Sequence, residues 1–186
     1  MAQSDRDRWD RRYANPSERK LKDAPDALLV RHTPPAAPGA RALDLACGLG
    51  HNAIWLAEQG YEVDAFDISE VALRHARRDM LARGVRVNFV AVDLDRFVLP
   101  KRTYDVVCVF RFLDRALLPE IRDRVRPGGV IVYQTLNTGH LARHPETNPE
   151  YLLRRGELPE HFPGWTVLEA EDLEHISLFA ARKPRA

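Results

Sequence analysis

Residues 41–59 read Arg41-Ala-Leu-Asp-Leu-Ala-Cys-Gly-Leu-Gly-His-Asn-Ala-Ile-Trp-Leu-Ala-Glu-Gln59 and contain three successive patterns. The first six residues form a short apolar run that is typical of a buried strand. Gly48 and Gly50 interrupt it, and apolar residues then recur at 53, 54, 56 and 57, the spacing of an amphipathic helix. The stretch therefore predicts a strand, a glycine turn and a helix.

The same alternation continues downstream of this stretch. Strand patterns are followed by helical patterns, and each strand ends at a polar residue. We predict strands over 61–66, 87–92, 105–110 and 130–136, and helices over 69–83 and 115–125, with a turn at 127–129. Because right-handed crossovers between parallel strands place helices on both faces of a sheet, the pattern predicts an α/β protein, a three-layer αβα Rossmann-like sandwich.

The two ends of the chain differ from this core. A helix over 5–13 and an apolar segment over 26–30 precede it. After residue 136 a polar, Pro-rich segment carries a short apolar helix near 151–153, followed by strands over 166–170 and 176–182. The short connection between the last two strands favours an antiparallel pair. The complete sheet is thus predicted to have seven strands and to be mostly parallel, with an antiparallel C-terminal strand.

Composition narrows the classes of function. The 28 Lys and Arg residues nearly balance the 27 Asp and Glu residues, and the only cysteines are Cys47 and Cys108. This balance argues against a nucleic-acid-binding surface, and the two cysteines do not have the spacing of a disulfide scaffold or a metal site. No apolar run has the length of a membrane span or the form of a signal peptide. We therefore expect a cytoplasmic protein with no metal, no membrane and no nucleic-acid partner.

The strand ends predict where a ligand binds, because ligands of such sheets lie beyond the carboxyl ends of the strands. The turn at Gly48 and Gly50 allows close approach to the backbone and precedes a helix N-terminus. With Ala53 and Asp67 it also fits the dinucleotide pattern G-x-G-x-x-G/A, so a nicotinamide cofactor is one interpretation. A charged group at Asp44 needs donors, which either loop amides or the ammonium group of a cofactor would supply, and a pyrophosphate would gain nothing from that charge.

Four segments resemble the motifs of the class I S-adenosylmethionine-dependent methyltransferases: 44–52, 61–67, 104–107 and 126–129. Two further segments are similar to the tellurite-resistance and thiopurine-type small-molecule methyltransferases within that class. Trp9-Asp-Arg-Arg-Tyr13 resembles their N-terminal lid, and residues 148–158 followed by Gly164-Trp165 resemble the segment before their last two strands. One departure is Ala46, where the class often has glycine, and a methyl group is tolerated there if the backbone stays in an ordinary region.

The resemblance implies S-adenosylmethionine as the cofactor, S-adenosylhomocysteine as the product and a small-molecule acceptor such as a thiol or a selenium or tellurium oxyanion. It implies one domain over 1–186, with a helical lid (1–38), a cofactor-binding core (41–136), an acceptor-side segment (137–164) and closing strands (165–182), as a monomer or a homodimer. The cofactor-binding residues that it implies are Trp9, Tyr13, Asp44, Cys47, Gly48, Gly50, Asn52, Asp67, Ile68, Asp93, Leu94 and Phe110.

The acceptor side is less well defined by the sequence. Arg111 is a candidate for binding an anionic acceptor, although it could equally pair with Asp114, and His140 is a second candidate catalytic residue. Soft nucleophiles need no general base, so the lack of an obvious base is compatible with them. A nicotinamide-dependent oxidoreductase and a non-catalytic S-adenosylmethionine-binding regulatory module are the alternative functions.

Overall fold

The computed structural model describes residues 2–15 and 24–185, so part of the expected lid, residues 16–23, lies outside the described residues. The strands of the described part are β1 Arg41–Leu45, β2 Glu62–Asp67, β3 Val87–Ala91, β4 Tyr104–Phe110, β5 Val125–Leu136, β6 Thr166–Asp172 and β7 Ile176–Arg182. Its α-helices are α1 Ala2–Ala14, α2 Ala27–His32, α3 His51–Glu58, α4 Glu70–Ala82, α5 Leu118–Arg124 and α6 Glu157–Glu160.

The strands form one seven-stranded sheet in the order β3-β2-β1-β4-β5-β7-β6. The pairs from β3 to β5 are parallel, whereas β7 runs antiparallel to both β5 and β6. One apolar cluster packs on each face of the sheet. The predicted fold class, an αβα sandwich with a mostly parallel sheet, is confirmed. The strand order reverses between β1 and β4, which places a crevice at their carboxyl ends.

Two local predictions were wrong. Residues 127–129 do not form a turn before the fifth strand, because β5 already begins at Val125, opposite Tyr104. These residues form an irregular part of the strand, in which the Gly128 amide donates to the Lys183 carbonyl and the Lys183 amide donates to the Gly129 carbonyl. Residues 151–153 were predicted as a short apolar helix. Tyr151 instead ends the 3-10 turn Pro149–Tyr151, and the chain is extended at 152 and 153. Leu152 and Leu153 are both buried there, and Leu153 packs into the apolar core of the sheet.

An ion pair between a partly exposed arginine and a buried glutamate attaches this segment to the rest of the molecule. The Arg115 guanidinium donates to both carboxylate oxygens of Glu157, at 2.6 and 3.0 Å. Arg115 also donates to the carbonyl oxygens of residues 150 and 152. Burial raises the pKa of Glu157, but the hydrogen bonds from Arg115 and from the Arg154 amide outweigh it and lower the pKa to about 2. The acceptor-side segment is therefore held next to the start of α5.

Across the described residues, no helix combines the length and the apolar character that a membrane crossing requires.

We predict that Glu157→Gln lowers the free energy of unfolding by about 1–3 kcal/mol at pH 7, since it leaves a partly buried guanidinium without its charge partner. The Glu157 pKa is lower in the folded state than the reference value of 4.5, so the contribution is complete above about pH 4.5 and disappears as the pH falls toward 2. Urea denaturation at pH 7 measures the difference. Glu160→Gln, which removes an exposed pair with Arg154, is the matched control and should change stability by less than about 1 kcal/mol. Equal effects of the two substitutions would contradict the prediction.

Candidate cofactor site

The polar residues at the strand ends meet at the crevice between β1 and β4. Asp44 lies near the end of β1, Asp67 ends β2 and Phe110 ends β4. Asp93 follows β3 by two residues. The strands are parallel and in register, so these side chains lie along one edge of the sheet.

The turn between β1 and α3 has a left-handed backbone at three positions, Ala46, Gly48 and Gly50, with φ values of 55°, 53° and 74°. The sequence analysis expected a methyl group at position 46 to be tolerated if the backbone had an ordinary conformation, but the Ala46 backbone is left-handed. A left-handed conformation costs a residue with a Cβ atom about 1–2 kcal/mol. Arg111, directly after the adjacent strand β4, has a φ of 57°. Two strained non-glycine residues thus flank the crevice, as is common at functional sites.

Asp67 fixes this turn to the start of α4. Its Oδ2 atom accepts from the Gly48 amide at 2.7 Å, and its Oδ1 atom accepts from the Ser69 amide at 2.8 Å. Burial raises the pKa of Asp67, while these backbone bonds lower it. Each oxygen keeps a second lone pair, so the carboxylate can still accept hydrogen bonds from a ligand.

Helix α1 lies over the glycine turn and is attached to α4. Asp10 Oδ1 accepts from the Ser69 hydroxyl at 2.6 Å and from the Val71 amide at 3.1 Å. One turn further along, the Tyr13 hydroxyl lies 2.7 Å from the point that a Cβ atom on Gly48 would occupy. The Tyr13 ring stacks on Trp9 with 5.9 Å between the ring centroids. Trp9 and Tyr13 therefore belong to a helix that covers the turn.

Asp44 has one carboxylate oxygen without a hydrogen-bond partner. The residue is only 1% exposed, and its Oδ1 atom accepts from the Cys108 thiol at 3.4 Å. Its Oδ2 atom is buried and accepts from no group of the described residues. Burial raises the pKa of Asp44 to about 7. A buried acceptor of this kind is costly unless a ligand supplies the donor.

Asp93, which follows β3, also has one carboxylate oxygen with a hydrogen bond and one without. Its Oδ1 atom accepts from the Asp95 amide at 3.2 Å, and within the described part of the chain its Oδ2 atom has no hydrogen bond, with the Arg96 guanidinium 3.9 Å away. Leu94 is buried beside it, and Ile68, at the end of β2, is half-buried. The two orphaned oxygens, on Asp44 and Asp93, are the strongest indication of a bound molecule at this edge.

Asn52 belongs to a network at the other side of the crevice. Its side-chain oxygen accepts from the Asp26 amide at 2.9 Å, and Asp26 in turn accepts from the Gln134 side chain at 3.3 Å. The sequence interpretation missed Asp26 and Asp10. An aspartate before a short apolar helix is an N-cap signal, and Asp26 does cap α2 through the Leu28 amide. Asp10 lies within a charged helix and gives no such signal.

The remaining predicted residues occupy different positions along the crevice. Cys47 and Phe110 are half-buried, and burial raises the pKa of the Cys47 thiol, which makes it a poor nucleophile. The Arg111 side chain is exposed, and Asp114 instead accepts from the Ala116 amide. Arg111 therefore remains available at the crevice as an acceptor-side candidate.

His140 lies beyond the end of β5, in the 3-10 turn Thr138–Ala142. Its ring stacks on His144 with 4.5 Å between the centroids. Burial, together with His144 and His175, lowers the pKa of His140, so the imidazole is neutral at pH 7. A neutral imidazole can accept a proton, which is the property that a general base needs.

Comparison with known proteins agrees with this geometry. Residues 42–129 match the family described as Methyltransferase domain. The chain is 31% identical to Hemagglutinin 1 of Eikenella corrodens over 71% of this chain and 46% of that protein. It is also 31% identical to the ubiquinone biosynthesis O-methyltransferase of Bordetella avium over 62% of this chain and 51% of that protein. The chain thus spans about half the length of these curated relatives.

Solved structures show the same fold at low identity. TehB from Haemophilus influenzae has a TM-score of 0.67 at 17% identity, over 78% of this chain and 58% of that chain. The phosphoethanolamine N-methyltransferase 2 of Haemonchus contortus, solved in complex with S-adenosyl-L-methionine, has a TM-score of 0.71 at 18% identity, over 86% of this chain and 52% of that chain. At such identities the likeness concerns the fold alone, so the tellurite-type resemblance is loose.

The domain match and the fold together show that the chain carries a class I S-adenosylmethionine-dependent methyltransferase domain. S-adenosylmethionine is the cofactor of this class, as the sequence predicted. The residues at the crevice fit it: the orphaned Asp44 oxygen can accept from an ammonium group, and the orphaned Asp93 oxygen can accept from an adenine amine. The comparisons therefore favour this cofactor over the nicotinamide alternative.

We predict that Asp10→Ala loosens α1 from α4, because it removes the acceptor of two hydrogen bonds. Amide hydrogen exchange should become at least several-fold faster in α1 and at Val71, while the sheet stays protected. Asp5→Ala is the matched control, since it removes a carboxylate of the same helix that, among the described residues, pairs with Arg8 at the surface. Equal protection of α1 in the two variants would show that the Asp10 bonds do not hold the helix.

Proposed function

We propose that this chain transfers the methyl group of S-adenosylmethionine to a small-molecule acceptor. The observation that carries the proposal is the buried Asp44 oxygen without a partner, at the strand ends where the class binds its cofactor. The proposal includes the division of labour expected from the sequence, in which residues 41–136 bind the cofactor and residues 137–164 face the acceptor.

In this proposal Asp44 accepts a hydrogen bond from the cofactor's ammonium group, Asp67 accepts from the ribose hydroxyls and Asp93 accepts from the adenine amine. Gly48 and Gly50 provide the left-handed backbone of the turn, while the Tyr13 hydroxyl and the Phe89 ring fill the space beside them. Trp9 and Tyr13, on the helix that covers the turn, exclude water. The cofactor supplies a methyl group on a positively charged sulfur, and that charge disappears during transfer.

Methyl transfer of this kind depends chiefly on positioning. Alignment of two reacting groups can contribute up to roughly 7–11 kcal/mol in the best intramolecular cases. Electrostatic stabilisation has less to contribute, because charge disappears at the sulfur. The structure is suited to this task, since Asp67 and Asp10 fix the glycine turn, α4 and α1 relative to one another.

The acceptor atom distinguishes two forms of the proposal. A thiol can release its proton to solvent before it reacts and a selenium or tellurium oxyanion has none to lose, whereas a hydroxyl group must give its proton to a base at the site. The neutral His140 imidazole beyond β5 favours the hydroxyl form, and Arg111 offers a cation for an acidic acceptor. O-methylation is also the activity named for the Bordetella avium relative. We therefore propose a small hydroxyl-bearing acceptor as the first class to test.

Binding of S-adenosylhomocysteine tests the cofactor assignment. At about 100 times its dissociation constant the ligand should stabilise the fold by roughly 2.7 kcal/mol, which for a chain of this length raises the Tm by roughly 5–11 °C. NADH at the same concentration should leave the Tm unchanged. A shift with NADH alone would support the oxidoreductase alternative, and binding of the adenosyl compound without methylation of any acceptor would support a regulatory module.

Substitution of His140 tests the acceptor class. His140→Gln should lower kcat about 100-fold for a hydroxyl acceptor, because it removes the group that takes the proton, and should leave thiol methylation within a factor of about two. His32→Gln is the control, since His32 pairs with Glu169 on the edge strand β6. If His140→Gln slows both acceptors equally, or neither, then His140 is not a base.

A further inference from the structure

Cys108 is the polar side chain of strand β4 that lies against Asp44 on β1. Residues 106–109 read Val-Val-Cys-Val, and Cys108 is fully buried. In the parallel register of β1 and β4, Cys108 is the direct partner of Asp44. Its sulfur lies 3.4 Å from Asp44 Oδ1, so the thiol donates to that oxygen. Valine would fill the same space in this apolar strand without the donor.

This contact decides how the Asp44 carboxylate is oriented. With Oδ1 held by the thiol, the other oxygen, Oδ2, is left buried and without a partner. Without this contact the carboxylate could rotate about its Cβ–Cγ bond, and Oδ2 would no longer be held toward the hydrogen-bond donor of the ligand. Burial and the neighbouring Asp44 raise the pKa of the Cys108 thiol, so it keeps the proton that it donates.

We propose that Cys108 is a positioning residue for the cationic end of the cofactor: its thiol fixes Oδ1 of Asp44 and thereby directs Oδ2 to the ligand's ammonium group. This inference rests on the proposed function, and it adds a residue that the sequence interpretation treated only as part of a buried strand. Cys108 does not touch the ligand in this proposal and acts through Asp44.

Other groups near Asp44 define its charge environment. Asp67 at the end of β2 raises the pKa of Asp44, and the Ala53 amide at the start of α3 lowers it together with the Cys108 thiol. Cys47, in the glycine turn, and Asp26, before α2, are the remaining titratable neighbours of this pair of residues. Within the described residues no group meets Oδ2 in hydrogen-bond geometry, although the Ala53 amide lies close enough to lower the pKa of this carboxyl group.

The test is the pH dependence of S-adenosylhomocysteine binding, measured by calorimetry from pH 5.5 to 8.5 on the full chain. An ammonium group binds the ionised carboxylate, so wild-type affinity should fall below about pH 7, where Asp44 becomes protonated. Cys108→Val removes the donor and should move the midpoint up by about one pH unit, which makes binding about tenfold weaker at pH 6 and near wild type at pH 8.5. Cys108→Ser keeps a donor and should leave the midpoint at or below that of the wild type.

Val132→Ala is the packing control, because Val132 is the fully buried neighbour of Cys108 on β5. It should lower the Tm without moving the midpoint. If Cys108→Val has the wild-type midpoint, or if Val132→Ala shifts it equally, the inference is overturned while the cofactor assignment stands.

A second measurement needs no ligand. The carboxyl carbon of Asp44, followed by NMR in the free protein, should titrate at a higher pH in Cys108→Val than in the wild type. Absence of S-adenosylhomocysteine binding at every pH would overturn the proposed function and the ligand-directed part of the inference. An unchanged Asp44 titration in Cys108→Val would overturn the Cys108–Asp44 coupling by itself.

Discussion

The Asp44 carboxylate at the end of β1 is the group on which the account of this site depends. The sheet buries it almost completely, the Cys108 thiol donates to Oδ1, and among residues 2–15 and 24–185 no group forms a hydrogen bond to Oδ2. A buried acceptor without a donor opposes folding, and proteins retain such groups mainly where a ligand completes them. The raised pKa of Asp44 has the same cause, because burial favours the neutral carboxyl group unless a cationic ligand group stabilises its charge.

The surrounding structure supports this carboxylate through a chain of short contacts. Asp67 ties the glycine turn to the start of α4, and Ser69 connects Asp67 to Asp10 on α1. The backbone near Asp44 is strained, since Ala46 and Arg111, which follow the adjacent strands β1 and β4, are both left-handed. A rigid, strained turn under a covering helix is consistent with a reaction in which alignment supplies most of the catalysis.

The sequence predicted a mostly parallel sheet of seven strands, the succession of strands and helices along the chain, and the strand ends at which Asp44, Asp67 and Asp93 lie, because periodicity and strand-end acids are local signals. It did not predict the extended course of residues 127–129, which depends on pairing with Tyr104 and Lys183 far along the chain. The Asp10 contact to α4 and the thiol contact of Cys108 were missed for the same reason: each joins residues about 60 positions apart.

A crystal structure of the chain grown with S-adenosylhomocysteine tests the central claim most directly. The account predicts the ligand across the ends of β1, β2 and β3, with its amino group at about 2.7–3.2 Å from Asp44 Oδ2 and its adenine amine at Asp93. A ligand bound elsewhere, or bound with Asp44 Oδ2 still unpaired, would contradict it.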